Sequence, residues 1–236
     1  MTDIFNTNNM YITSDVHAFH NNIAKYCGRP YNYESNEEIL QMNEDILAKF
    51  AKLPDTEDTV IWNLGDLAYG KLITKSEDPF NNLKNFISIM KGNNRTLVLV
   101  IGNHDKDLYK MFRKRTKHES IIAFFEDLGF DAVYNRPILF KDNIIMSHEP
   151  VYLKPGSGFK NIHGHIHNSS MTVDYFEVKI ENYDMKRIAA ESDGMKDIPD
   201  RILVNDKKID VNDYINVCWD NSNFEILNFK NILKGL

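Results

Sequence analysis

Thr96-Leu97-Val98-Leu99-Val100-Ile101, followed by Gly102-Asn103-His104-Asp105, is the stretch on which the fold turns. An apolar run this short, stopped by glycine and polar residues, reads as a strand buried on both faces. It empties into side chains that can bind a cation or move a proton. The same grammar recurs on either side. Met10-Tyr11-Ile12-Thr13 runs into Ser14-Asp15-Val16-His17, and Thr59 to Leu64 stops at Gly65-Asp66. Pro137 to Phe140 and Asn143 to Met146 form a hairpin around Lys141-Asp142 that ends at Ser147-His148. Asn161-Ile162 leads into His163-Gly164-His165-Ile166-His167.

Helices alternate with these strands. Ile39, Leu40, Met42, Ile46, Leu47 and Phe50 lie at helical spacing within Glu37 to Phe50, with Ser35 or Asn36 as N-cap. A second helix is predicted over Phe80 to Met90 and a third over Ile121 to Asp127, stopped by Gly129. Tyr214 to Trp219 and Phe224 to Phe229 read as closing strands. Met171 to Asp213 is polar and weakly periodic, which predicts an excursion at about 171–213 within one domain spanning 1–236. The fold class is α/β. In such folds the carboxyl ends of neighbouring strands share one rim, and the chemistry sits there.

Composition narrows the classes. The 236 residues are 42% hydrophobic and 26% charged, which excludes disorder as the default state. Lys and Arg number 28 against 34 Asp and Glu, a net charge of −6 that argues against coating nucleic acid by charge alone. Two cysteines, Cys27 and Cys218, stand in no paired motif, so neither a disulfide scaffold nor a cysteine-rich zinc site is expected. The N-terminal residues carry no secretory pattern and no apolar run approaches the roughly 20 residues of a membrane span. The expectation is a cytoplasmic protein of a bacterial or phage-infected cell.

Of the 8 histidines, His17, His104, His148, His165 and His167 sit at successive strand ends, beside Asp15, Asp66 and Asn103. A solvated surface would use Lys, Glu and Ser as readily. Imidazoles, carboxylates and one amide oxygen, without thiolates, suit borderline to hard divalent ions. Asp15, His17, Asp66, Asn103, His148, His165 and His167 exceed the three or four protein ligands of a mononuclear zinc site. They suit two ions that share a carboxylate, held roughly 3.5–4 Å apart.

In this order, Asp15-x-His17, Gly65-Asp66, Gly102-Asn103-His104-Asp105, His148 and Gly164-His165-x-His167 resemble the calcineurin-like metallophosphoesterase superfamily. The stretch Ser14 to Ile23, with Tyr26-Cys27-Gly28-Arg29-Pro30, resembles a group of small bacterial and phage phosphoesterases. The resemblance implies a four-layer α/β/β/α sandwich with two mixed β-sheets. It implies that Asp15, His17 and His167 hold one ion, that Asn103, His148 and His165 hold the other, and that Asp66 bridges them. Manganese is the first expectation for both, with Fe²⁺, Zn²⁺, Ni²⁺ and Co²⁺ as alternatives. The implied reaction is hydrolysis of a phosphoester by hydroxide shared between the ions. His104 is implied to be the general acid or a stabiliser of phosphoryl charge, with Asp105 accepting from its imidazole and raising its pKa, worth about 10²–10⁴-fold in rate.

The pattern also departs from relatives. In protein serine/threonine phosphatases the Gly-Asp motif continues into phosphate-gripping Asp and Arg residues. Here the continuation is Leu67-Ala68-Tyr69-Gly70-Lys71, which disfavours a phosphoprotein substrate. His20, Arg29 and Lys71 are the candidate substrate contacts. Lys110 to His118 is a basic stretch better read as a solvated helix face, and Trp62 and Trp219 read as packing residues. The expected partner is a small phosphoester, nucleotides included, cleaved as a phosphatase or phosphodiesterase would. A nuclease acting on DNA or RNA is the alternative, and a binding scaffold that kept the fold and lost catalysis comes third.

Overall fold

The structure, a computed structural model, describes residues 3–5, 8–70, 72–73, 77–141, 143–172 and 209–234. The chain runs β1 (Met10–Thr13), α1 (Asn21–Cys27), α2 (Asn36–Ala51), β2 (Val60–Asn63), α3 (Pro79–Lys91), β3 (Thr96–Val100), α4 (Asn103–Thr116), α5 (Ile121–Leu128) and β4 (Ala132–Tyr134). It continues with β5 (Ile138–Phe140), β6 (Ile144–Ser147), β7 (Lys160–His163), a 3₁₀ turn at Val211–Asp213, β8 (Tyr214–Asn216), β9 (Leu227–Asn228) and α6 (Phe229–Lys234).

Two sheets result. The first has the order β4-β3-β2-β1-β9, with β1 to β4 parallel and β9 antiparallel. The second has the order β5-β6-β7-β8, with only the β5–β6 hairpin antiparallel. Both sheets are mixed, as the resemblance implies. Strand order in the first sheet steps in one direction without reversing, so successive right-handed crossovers lay their helices on one face. The other face is left to the second sheet.

Each face buries its own core. Ile39, Met42, Ile46 and Phe50 of α2, with Leu83, Ile87 and Met90 of α3 and Phe124, Phe125 of α5, pack on Ile61, Leu97 and Leu99. Met10, Ile12, Trp62, Val98 and Val100 meet Phe140, Ile144, Met146 and Ile162 between the sheets. Each such side chain contributes roughly 1.5–3 kcal/mol on burial. Trp62 stacks on Tyr134 at 5.9 Å and donates its indole N–H to the Ile4 carbonyl at 3.1 Å. Trp219 is buried in the helix-side core. Leu153 and Tyr214, with Ile145, Phe159, Met171 and Ile209, cover the outer face of the second sheet among the described residues.

Local chemistry sets the helix limits. Ser35 caps α2 by accepting from Glu38 N–H at 3.2 Å, with Glu37 and Glu38 favourably in the first turn. Asp78 caps α3 ahead of Pro79, and Gly129 ends α5 in a left-handed conformation. The predicted closing strands are shorter than expected. β8 stops at Asn216, after which the chain crosses to the first sheet and Cys218 bridges Ser14. β9 gives way to α6 at Phe229, because Phe229, Ile232 and Leu233 sit at helical spacing against the inter-sheet core. The predicted excursion lies mostly outside the described residues.

Candidate active site

The two sheets bring their carboxyl rims together where β1 ends. Trp219 N–H donates to the Ser14 carbonyl at 2.8 Å, Gly164 N–H to the His148 carbonyl at 2.8 Å, and Asp15 N–H to the Gly65 carbonyl at 2.9 Å. Asp15, His17, Asp66, His165 and His167 carry φ of 57°, 49°, 54°, 72° and 49°. Left-handed backbone costs a non-glycine residue about 1–3 kcal/mol where the surroundings must hold it, and such strain gathers at functional sites. Five strained residues on one rim are the backbone signature of a site.

All seven donors named from the sequence converge there. His17 Nε2 lies 3.8 Å from Asp15 Oδ1 and 3.6 Å from Asp66 Oδ2. His167 Nε2 is 3.8 Å from Asp15 Oδ1, and His148 Nε2 is 3.5 Å from Asp66 Oδ2. Asn103 Oδ1 stands 3.0 Å from His148 Nε2 and 2.9 Å from His165 Nδ1. Asp15–His17–His167 and Asp66–His148–His165 each gather their donor atoms within 4.8 Å, and His17–Asp66–His104 does the same between them. Asp66 Oδ2 therefore faces both groups. Its other oxygen accepts the His104 backbone N–H at 2.8 Å.

Satisfaction of these polar atoms tests whether a cation fits. Asp15 Oδ1 and both His17 ring nitrogens are buried without a hydrogen-bond partner among the described residues. Orphaned buried acceptors are costly unless something positive meets them. Second-row bonds aim the other donors. Asp15 Oδ2 accepts from His165 N–H at 2.8 Å and from Cys218 Sγ at 3.1 Å, which turns Oδ1 inward. His148 Nδ1 is held by the Leu64 carbonyl at 2.8 Å, and His167 Nδ1 by Asp220 Oδ2 at 2.8 Å, so each presents Nε2 to the centre. The donors fit divalent cations.

Charge follows the packing. Burial pulls His17 well below the usual imidazole range and His148 down to about 4, which leaves both neutral as metal donors must be. Burial pushes Asp66 well above the carboxylate range, and the nearby charges of Asp15 and Asp105 push it further. Burial also opposes the charged form of His167. The hydrogen bonds that its ring donates to Asp220 and Cys27, with the charge of Asp15, overcome that and raise it to about 10.

Three sequence expectations change. Asp105 does not touch the His104 imidazole. Its carboxylate caps α4 by accepting Gly102 N–H at 2.8 Å and pins the neighbouring loop through Asp66 N–H at 2.9 Å and Leu67 N–H at 3.0 Å. His104 Nδ1 is buried without a partner among the described residues, and burial lowers its pKa, outweighing the raising charges of Asp107 and Asp15. Arg29 is no phosphate contact. All its donors are committed internally, to Asp220 at 2.7 and 3.0 Å, to the Asp15 and Val16 carbonyls at 2.9 and 2.8 Å, and to Met42 Sδ at 3.7 Å. Lys71 lies outside the described residues. His20 does line the site, its ring 5.4 Å from that of His17 and 5.0 Å from Tyr69, whose own ring is 4.6 Å from His104. Asp220 is a residue of this site that sequence reasoning passed over, although it follows a closing strand as the proposed donors do.

A family model described as calcineurin-like phosphoesterase matches residues 9–224. The chain belongs to the calcineurin-like phosphoesterase family. The family implies divalent metal ions and hydrolysis of phosphoesters, and the His/Asp groups described above are suited to hold such ions. An uncharacterized protein of Methanocaldococcus jannaschii, MJ1445, is 33% identical over 97 residues, which cover 41% of this chain and 47% of that protein. The match thus spans about half the length of that relative. The crystal structure of AQ665, a protein of unknown function from Aquifex aeolicus, superposes with a TM-score of 0.53 at 19% identity. The superposition covers 96% of this chain and 98% of that one, and it shows a shared fold. No described helix is long and apolar enough to cross a membrane.

Proposed function

We propose that the protein is a dinuclear metal-dependent phosphoesterase acting as a phosphatase or phosphodiesterase on a small phosphorylated substrate, nucleotides included. The observation that carries this reading is Asp66 Oδ2, one oxygen within 3.6 Å of His17 Nε2 and 3.5 Å of His148 Nε2, with a donor group on each side. In this reading Asp15, His17 and His167 hold one divalent ion, Asn103, His148 and His165 the other, and Asp66 bridges. Manganese is the first choice of metal. Two such ions when bound supply an acidified water and neutralise charge on phosphoryl oxygens.

The remaining work falls to the chain itself. Asp220 and the Leu64 carbonyl keep His167 and His148 in the tautomers that donate from Nε2. Asp105 fixes the distance between the Asp66 and Gly102 loops, and so the spacing of the two halves. His104 donates a proton to the leaving oxygen or stabilises phosphoryl charge, its ring held against Tyr69 and edge-on to His17. His20 borders the same space and contacts substrate. The test is turnover of bis(p-nitrophenyl) phosphate and p-nitrophenyl phosphate in Mn²⁺ by the wild type, Asp66→Asn and His104→Ala. Hydrolysis by the wild type that falls sharply in both variants supports the reading, and equal rates in all three overturn it.

A further inference from the structure

Beside the Asn103 and His148 half of the centre lies a cavity of about 270 Å³. It opens at the seam of the two sheets, where β3 and β6 end and β4 turns toward β5. Asn103 and His148 form part of its wall, so whatever fills it adjoins the proposed metal centre. Its volume is slightly below the ~300–1,000 Å³ of sites that take a drug-sized ligand. One substituent of a substrate, a phosphoryl group with its sugar or its water, matches that space.

Two cations stand on the wall, Lys106 from the first turns of α4 and Arg136 from the β4–β5 connection. Neither forms an ion pair or hydrogen bond among the described residues. Elsewhere on this acidic chain cations are spent on carboxylates: Lys84 and Lys91 pair with Asp127 and Asp131, Lys110 with Asp107, and Arg29 with Asp220. Glu149 is the one carboxylate of the lining, and Asn135 adds an amide. The lining is thus cationic in excess and rich in hydrogen-bonding groups. Arg136 offers a planar fork that matches phosphate, and Lys106 a mobile point charge.

We infer that this cavity, through Lys106 and Arg136, binds a second phosphate carried by the substrate, so that the enzyme selects bisphosphorylated small molecules over monophosphorylated ones. The inference rests on the phosphoesterase reading for its location and adds the substrate class. The Lys110 to His118 stretch has no part in it, since its side chains do not line the cavity.

The test uses the full chain loaded with Mn²⁺ and two sugars of one skeleton, fructose 1,6-bisphosphate and fructose 6-phosphate. Direct titration calorimetry gives their affinities, and competition against p-nitrophenyl phosphate gives their inhibition constants. The bisphosphate is expected to bind about tenfold or more tightly, as one or two charge-assisted hydrogen bonds would give. Lys106→Gln with Arg136→Gln should bring that ratio close to one, whereas Lys110→Gln, outside the cavity, should leave it intact. Equal affinity of the wild type for both sugars, or an undiminished ratio in the double variant, overturns the inference. Absence of any p-nitrophenyl phosphate hydrolysis by the wild type counts against the phosphoesterase reading alone, because the calorimetric ratio still decides the second site.

Discussion

At the scale of single residues, Asp220 does what the seven donors cannot do for themselves. It holds His167 Nδ1 at 2.8 Å and is itself held by Nε and Nη2 along one edge of the Arg29 guanidinium, whose remaining hydrogen bonds to oxygen go to the Asp15 and Val16 carbonyls. Outer partners of this kind are typically worth about 10–100-fold in metal affinity. Asp220→Asn should therefore weaken Mn²⁺ binding by about that factor, read by competition with a chelating dye; unchanged affinity would remove Asp220 from the account. Arg29→Met strands a carboxylate in the interior and should cost about 3–5 kcal/mol in urea unfolding. His104→Ala should lower kcat by about 10²–10⁴-fold with metal content unchanged, and a loss of metal would show it to be a ligand. The seven proposed donors are legible in the sequence because each sits at a strand end in a residue type metals prefer. Asp220 is hidden because Asp220-Asn221 reads as an ordinary turn and its partner Arg29 lies 191 residues away.

At the scale of elements, the sequence is most readable where local chemistry decides. Ser35, Asp78 and Gly129 mark helix limits by their own hydrogen bonds or backbone angles, and the structure places those limits within a residue or two of the predicted ones. It is least readable where tertiary contacts decide. Val217 to Trp219 continues the β8 pattern, yet leaves its sheet because Cys218 has Ser14 and Asp15 to meet. Asp105 misleads for the same reason: next to His104 in sequence, it is turned by the first turn of α4 toward the backbone of Asp66, Leu67 and Gly102. Gly65 is where the loops press hardest. At φ +101°, a Cβ there would come within 2.6 Å of Gly102 N and 2.7 Å of His148 Nδ1. Gly65→Ala should cost at least about 1–3 kcal/mol in stability and lower metal content together with it. A variant with wild-type melting temperature and two ions per chain would mean that the loop spacing is not constrained as described.

At the scale of the whole molecule, two sheets share one rim, so the stability of the fold and the integrity of the site are tied. In the metal-free protein burial holds His148 and His20 down to about 4, against about 6.5 for a free imidazole. Between those values the unfolded chain binds more protons at these two rings than the folded one does, so they make stability fall as pH drops through that window. Thermal melts of the chelator-treated protein should show a lower midpoint at pH 5 than at pH 7, and a flat profile would contradict the burial of these rings. His167 runs the other way: raised to about 10, it carries a proton at neutral pH that binding of the proposed ion would expel. The most direct test of the whole account is anomalous diffraction from crystals grown with Mn²⁺. Two peaks are predicted on either side of Asp66, one among Asp15, His17 and His167 and one among Asn103, His148 and His165. A single peak, or none between these side chains, would contradict the dinuclear centre.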